Sequence, residues 1–314
     1  MRRRIILAGG SGFLGQLIGD FLNPRGWEPM VLTRKPMPEA RIPQIGWDAR
    51  TLGDWTRAID GADAVVNLAG RSVNCRFTPE NRRLVMESRV DSTRVLGEAI
   101  ARCAKPPRVW LNSSTATIYK HSLKQANDES SADFSPTPEA KDAYSVEVAL
   151  AWEKAFNDAC TPRTRKVALR TTLVFGAVKG GVFQILRRLA RLGLGGRMGS
   201  GRQYVSWIRD EDFCRALEWI VDRPQLTGPV NMAAPHPVTN AEMMALFRSL
   251  NGIPIGLPAA GWMLEVGAFL LRTETELLLK SRCVVPGKLL ASGFQFRFPR
   301  MEEALRDLER RMAR

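Results

Sequence analysis

Seven residues near the start of the chain, Gly9-Gly10-Ser11-Gly12-Phe13-Leu14-Gly15, follow a short apolar run and open a helical pattern. Glycines at these spacings permit a tight turn, let the backbone approach a pyrophosphate, and let helix and strand pack closely. The free N–H groups at the helix start then point at the anion. About twenty residues further on, where a site for a free ribose carries an Asp or Glu, the chain reads Thr33-Arg34-Lys35. Two cations suit a 2′-phosphate and offer nothing that accepts from a 2′-hydroxyl, so NADP(H) is favoured over NAD(H). Asn67-Leu68-Ala69-Gly70 closes a later apolar run, where small residues can pass beneath such a cofactor. Asp48, after Trp47, either accepts from the adenine amino group or is a solvated aspartate in a turn.

Other chemistries are poorly supplied. A Ser-His-Asp triad would have to use His121 or His236, and neither lies near a nucleophile-elbow pattern, which disfavours it. Cys75, Cys103, Cys160, Cys214 and Cys283 are scattered without a C-x-x-C pair, and no His pair has ligand spacing. No metal site is expected. The odd cysteine set fits a reducing compartment, hence a cytoplasmic protein.

These residues need elements to hold them. Short apolar or β-branched runs at 4–8, 29–33, 64–68 and 108–113 read as strands, and a further strand is predicted over 166–174. Leu14, Leu17, Ile18, Phe21 and Leu22 recur on one helical face, and a helix is predicted over 143–159. Strands alternating with crossover helices give an α/β fold, a doubly wound parallel sheet of the Rossmann type. After Gly176 the pattern changes to glycine-rich turns, then to short elements punctuated by proline over 224–258. The expected division is a nucleotide-binding domain over 1–175 and a smaller C-terminal lobe over 176–314 on the substrate side, some of whose segments return to the sheet.

The charge balance, 46 Lys and Arg against 32 Asp and Glu, leaves +14 and draws anions. The basic residues are dispersed, with no basic segment interleaved with stacking aromatics, which disfavours nucleic acid. The longest apolar stretch, 262–271, is broken by Glu265 and falls short of the ~20 residues of a spanning helix, so no membrane association is expected.

The glycine loop, Asn67 to Gly70, and Ser113-Ser114-Thr115-Ala116-Thr117-Ile118-Tyr119 fall in the order seen in extended short-chain dehydrogenases/reductases, which the chain resembles. Further motifs resemble an atypical subfamily of epimerase family proteins. They include Trp152-Glu153, Gly199-Ser200-Gly201-Arg202-Gln203, Ser206-Trp207-Ile208, Asn231, Pro237-Val238-Thr239-Asn240, Val284-Val285-Pro286 and Gly293-Phe294-Gln295-Phe296. By the same resemblance, the segment from about 250 to 300 corresponds to the tail of that subfamily.

By this resemblance the catalytic hydroxyl is Thr115, and Tyr144 stands where the superfamily places its proton-transferring tyrosine. Thr115 could equally be a strand-end hydroxyl satisfying backbone, and Tyr144 a partly buried aromatic at a helix start. The lysine that lowers the tyrosine pKa is replaced by Val148, four residues on. Lys154 cannot stand in, ten residues along a helix being roughly 15 Å of rise. Lys141 is the near alternative if the helix extends back to it. Arg209 stands where the subfamily usually has a His. Gln203 and Trp207 are weighed as cleft residues, with packing an equal explanation for Trp207, and Trp152 is read as core.

The resemblance implies an NADP(H)-dependent oxidoreductase or epimerase acting on a small molecule with a hydroxyl or carbonyl, a nucleotide-linked sugar among them. The alternative is a non-catalytic NADP(H)-binding sensor or scaffold, which Val148 favours. A homodimer is implied by resemblance alone.

Overall fold

A computed structural model describes residues 2–178, 180–261, 263 and 274–312. Most of the apolar stretch 262–271, including Glu265, lies outside them. No helix among the described residues is long and apolar enough to cross a membrane.

The centre is a seven-stranded sheet built from β1 (Arg3–Ala8), β2 (Trp27–Thr33), β3 (Gln44–Gly46), β4 (Ala64–Asn67), β5 (Val109–Thr115), β6 (Arg165–Thr171) and β10 (Gly228–Met232). Its order is β10-β6-β5-β4-β1-β2-β3, and every neighbouring pair is parallel. The order reverses between β1 and β4, which opens the crevice where doubly wound sheets bind ligands. Along β1, Ile5 and Leu7 join one apolar layer while Ile6 and Ala8 join the other. Both faces are therefore covered, as the unbroken apolar run requires.

Helices α1 (Phe13–Leu22) and α6 (Asp210–Val221) cover one face, while α2 (Thr56–Ile59) and α3 (Pro79–Arg102) cover the other with α4 (Ala143–Asp158). Thr78 caps α3 through its hydroxyl, which accepts from the Asn81 N–H, and Pro79 fixes the first turn.

The single strand predicted over 166–174 is interrupted at Thr172, whose N–H and hydroxyl both bond the Met232 carbonyl. The chain then leaves the main sheet, and β7 (Leu173–Phe175) pairs with β9 (Trp207–Arg209). A second small sheet joins β8 (Tyr204–Val205) to β11 (Val238–Thr239). Around these, α5 (Val182–Arg191), α7 (Asn240–Leu250) and the helix Met301–Met312 enclose a separate core of Phe175, Phe183, Trp207, Phe247 and Leu305.

Candidate functional site

The glycine loop turns at the carboxyl end of β1. Gly9 has φ +72°, and a Cβ there would lie 2.6 Å from Ala69 Cα, so the loop rests on the end of β4. A Cβ on Gly15 would lie 2.2 Å from Gly10 Cα, which is the close approach of helix to strand that the motif demands. At Gly12 nothing lies within 4 Å of a Cβ position, and no side chain caps α1 there. Ser11 is exposed beside it, and Leu14 packs inward. The start of a ten-residue helix thus presents its amides beside an open surface. These features fit a dinucleotide pyrophosphate.

Arg34 and Lys35 follow the last residue of β2 and are both exposed. No acidic side chain among the described residues forms a salt bridge with either. Asp48, close after β3, uses its carboxylate locally, accepting from the N–H groups of Arg50 and Thr51 at 2.8 and 2.9 Å and from the Thr51 hydroxyl at 2.6 Å. Those bonds hold its pKa below the ordinary carboxylate range. Asp48 thus stabilises the turn that follows β3.

At the end of β4, Asn67 is fully buried. Its amide donates to Asn112 at 2.8 Å and Thr93 at 3.2 Å, and its carbonyl accepts from the Ala69 N–H at 3.1 Å. Asn67 therefore shapes the Leu68-Ala69-Gly70 turn. Leu68 is also tied to β1 through the Ala8 carbonyl.

A cavity of about 120 Å³ opens beyond this turn. Val73, Phe77, Val85, Val148 and Trp152 give it apolar walls; Thr115, Thr117, Tyr144, Ser145 and Arg89 supply its polar groups. Thr115 closes β5, and its hydroxyl accepts from the Thr117 N–H at 3.1 Å. It caps a turn and lines the cavity at once.

Tyr144 sits in the first turn of α4, packed edge-on against Phe77 with ring centroids 4.8 Å apart. Its hydroxyl donates to the Arg82 carbonyl at 2.7 Å. Burial pushes its pKa above the ordinary range, against the pull of the Arg89 and Arg82 cations. Val148, one turn on, is buried beside it. Helix α4 begins at Ala143, and Lys141 precedes it in a left-handed turn at φ 54°, so the helix does not extend back to Lys141.

Arg89, from the middle of α3, supplies a cation to this wall. Its guanidinium carbon lies 5.1 Å from the Trp152 ring centroid and 3.3 Å from where a Cβ on Gly70 would stand. Nothing in the sequence pattern separates Arg89 from Arg82, Arg83 or Arg94 on the same helix. Trp152, read as core, is both buried and a cavity wall, its indole N–H donating to Thr93 at 3.0 Å.

Behind the cavity lies a buried polar layer that sequence reasoning missed. Ser145 donates to Glu276 at 2.7 Å, Lys280 donates to the Thr117 carbonyl at 2.6 Å, and Arg282 reaches the Thr117 hydroxyl at 3.1 Å. Residues 276–282 thus brace two cavity residues. On the other side, Glu153 holds Arg170 through paired 2.8 Å bonds and accepts from Ser114 at 2.6 Å, while Arg170 continues to Tyr119 and Asn231. The motif residues Glu153 and Asn231 are explained by this network.

Gln203 and Trp207 do not line the cavity. Gln203 donates to the Met198 carbonyl at 2.9 Å and Trp207 to the His236 carbonyl at 3.1 Å, and both are buried in packing. Arg209 is wholly buried between Asp210 and Asp307, its Nη2 2.7 Å from the latter, and ties β9 to the C-terminal helix. No cluster of His, Cys, Asp and Glu suited to a metal occurs among the described residues.

The sequence matches the model of the NAD dependent epimerase/dehydratase family over residues 5–233 and that of a domain of unknown function, DUF1731, over residues 259–308. It is 31% identical over 315 residues to epimerase family protein SDR39U1 of Bos taurus, spanning 97% of this chain and 99% of that protein. It is 31% identical over 304 residues to epimerase family protein Mb2239 of Mycobacterium bovis, spanning 96% of each. The crystal structure of human epimerase family protein SDR39U1 with NADPH superposes with a TM-score of 0.84 at 30% identity, covering 98% of this chain and 99% of that one. The chain belongs to the NAD dependent epimerase/dehydratase family.

Proposed function

We propose that the protein is an NADP(H)-dependent oxidoreductase or epimerase of the extended short-chain type, acting on a small hydroxyl or carbonyl compound. The observation that carries this reading is the adjacency of cradle and cavity: Gly9 rests on Ala69, and the next residue, Gly70, touches Arg89 on the cavity wall. The human relative crystallised with NADPH supports the cofactor.

Gly9, Gly10, Ser11, Gly12, Phe13, Leu14 and Gly15 would hold the pyrophosphate, Arg34 and Lys35 the 2′-phosphate, and Leu68, Ala69 and Gly70 the underside of the cofactor. Bound there, a nicotinamide supplies hydride acceptance or donation. The Thr115 hydroxyl, which already accepts from Thr117, has its own proton left for a substrate oxygen, whose developing charge it stabilises. Tyr144 joins the proton transfer only by releasing the Arg82 carbonyl. The apolar walls keep water from the reacting carbon. Five free cysteines agree with a cytoplasmic setting. The division near residue 175 and a homodimer belong to the same reading.

A second reading, a non-catalytic NADP(H) sensor, is favoured by one observation: the Tyr144 proton is committed to backbone and no lysine follows at 148. NADPH consumption and NADP⁺ reduction across a panel of carbonyl and alcohol compounds decide between them. Turnover lost in Thr115→Val with NADPH affinity intact supports the enzyme. Binding without turnover of any compound supports the sensor.

A further inference from the structure

We propose that the cavity selects a substrate bearing a carboxylate, and that Arg89 is the residue that binds it. This rests on the cavity being the substrate site, and it names the substrate class.

Among the described residues the wall offers three short hydroxyls, Thr115, Thr117 and Ser145, one guanidinium and no carboxylate. Arg89 Nη1 donates to the carbonyls of Arg71 and Val85 at 3.1 and 3.0 Å, which fixes one edge of the group by neutral acceptors. Trp152 and Gly70 both lie close to the guanidinium. Its salt-bridge partner is not found among the described residues, and its negative-going neighbours are the Tyr144 hydroxyl and the Cys75 thiol. Burial pushes its pKa down to about 10.

A half-buried cation of this kind, held by neutral acceptors, is relieved by an anion. A planar carboxylate matches the guanidinium fork, which makes arginine the residue for such recognition. The rest of the wall then meets an apolar body and an oxygen near Thr115.

Cofactor phosphate is the other anion that could meet Arg89, and the test separates the two. Protein saturated with NADP⁺, which cannot reduce an oxo acid, is titrated with pyruvate, levulinate and phenylglyoxylate, each beside its methyl ester, by calorimetry and ligand-observed NMR. At least one acid is expected to bind, with its ester weaker by about tenfold or more. Arg89→Gln should remove that preference, Arg89→Lys should keep part of it, and both should bind NADPH as the wild type does. The acid-against-ester comparison needs no variant, so it stands even if Arg89→Gln fails to fold. Equal binding of acid and ester, absence of binding by every acid, or a loss of NADPH affinity in place of acid affinity in Arg89→Gln overturns the proposal. A protein that binds no NADPH fails the cofactor reading itself, a separate result.

Discussion

The Lys280 ammonium lies 2.7 Å from the Asp142 carboxylate, and both side chains are fully buried. Asp142 is the residue before α4, and its other oxygen accepts from the Thr137 N–H at 2.6 Å. Lys280 comes from the C-terminal segment and also donates to the Thr117 carbonyl. One buried ion pair therefore joins the tail of the chain to the start of the helix that carries Tyr144. Lys280→Met leaves a buried carboxylate unpaired and should cost about 3–5 kcal/mol of stability. Lys280→Met combined with Asp142→Asn should recover most of it. Denaturant midpoints check both, and a single variant as stable as the wild type contradicts the account.

Glu276 gives a pH signature. Burial pushes its carboxyl above the ordinary value of 4.5, despite the bond from Ser145 and the nearby Arg282 and Lys280 cations. A carboxyl raised on folding binds more protons folded than unfolded, so its contribution to stability falls as pH rises from 4.5 through the folded value. Glu276→Gln keeps an acceptor for Ser145 and removes this titration. The variant should gain on the wild type in melting temperature as pH rises from about 4.5 toward 7. A difference that stays constant across that range would mean Glu276 is not raised.

Val148 is not a vacancy awaiting lysine. It is 6% exposed, packed with Val85 and Tyr144, and shares its cavity with the Arg89 cation. Val148→Lys should destabilise the protein by on the order of 3 kcal/mol and raise no activity. A stable, faster variant would show that the Tyr144 hydroxyl can leave Arg82 and take up the superfamily's proton chemistry.

Gly15→Ala tests the cradle. Its Cβ would fall 2.2 Å from both Cα and the carbonyl oxygen of Gly10, a backbone clash that no rotamer relieves. The expected loss is about 1–3 kcal/mol of stability together with NADPH affinity. Unchanged binding would mean the loop is not the pyrophosphate site.

The legible parts of this molecule are those whose cause is local. The apolar run of β1, the glycines after it and the amphipathic face of α1 each carry their reason in a few neighbouring residues. The break at Thr172 was not legible, because an apolar run reads alike whether it continues in one sheet or steps into another. Arg89 was hidden among the arginines of α3, since only tertiary packing decides which of them meets Gly70. Nothing in the sequence singles out Glu276, Lys280 and Arg282, whose contacts with Ser145 and Thr117 arise only when the C-terminal segment returns to the cavity. Trp207 had two readings in sequence, and packing against Phe175 decides for the core.

The central claim, an NADP(H) site on the first strand-turn-helix unit with the 2′-phosphate met by Arg34 and Lys35, is tested by titrating the wild type and Arg34→Ala with NADPH and NADH while following nicotinamide fluorescence. The account predicts tight NADPH binding, weaker NADH binding, and a selective loss for NADPH in Arg34→Ala of about tenfold, as for one charged contact. Equal affinity for the two nucleotides, unmoved by Arg34→Ala, would contradict it.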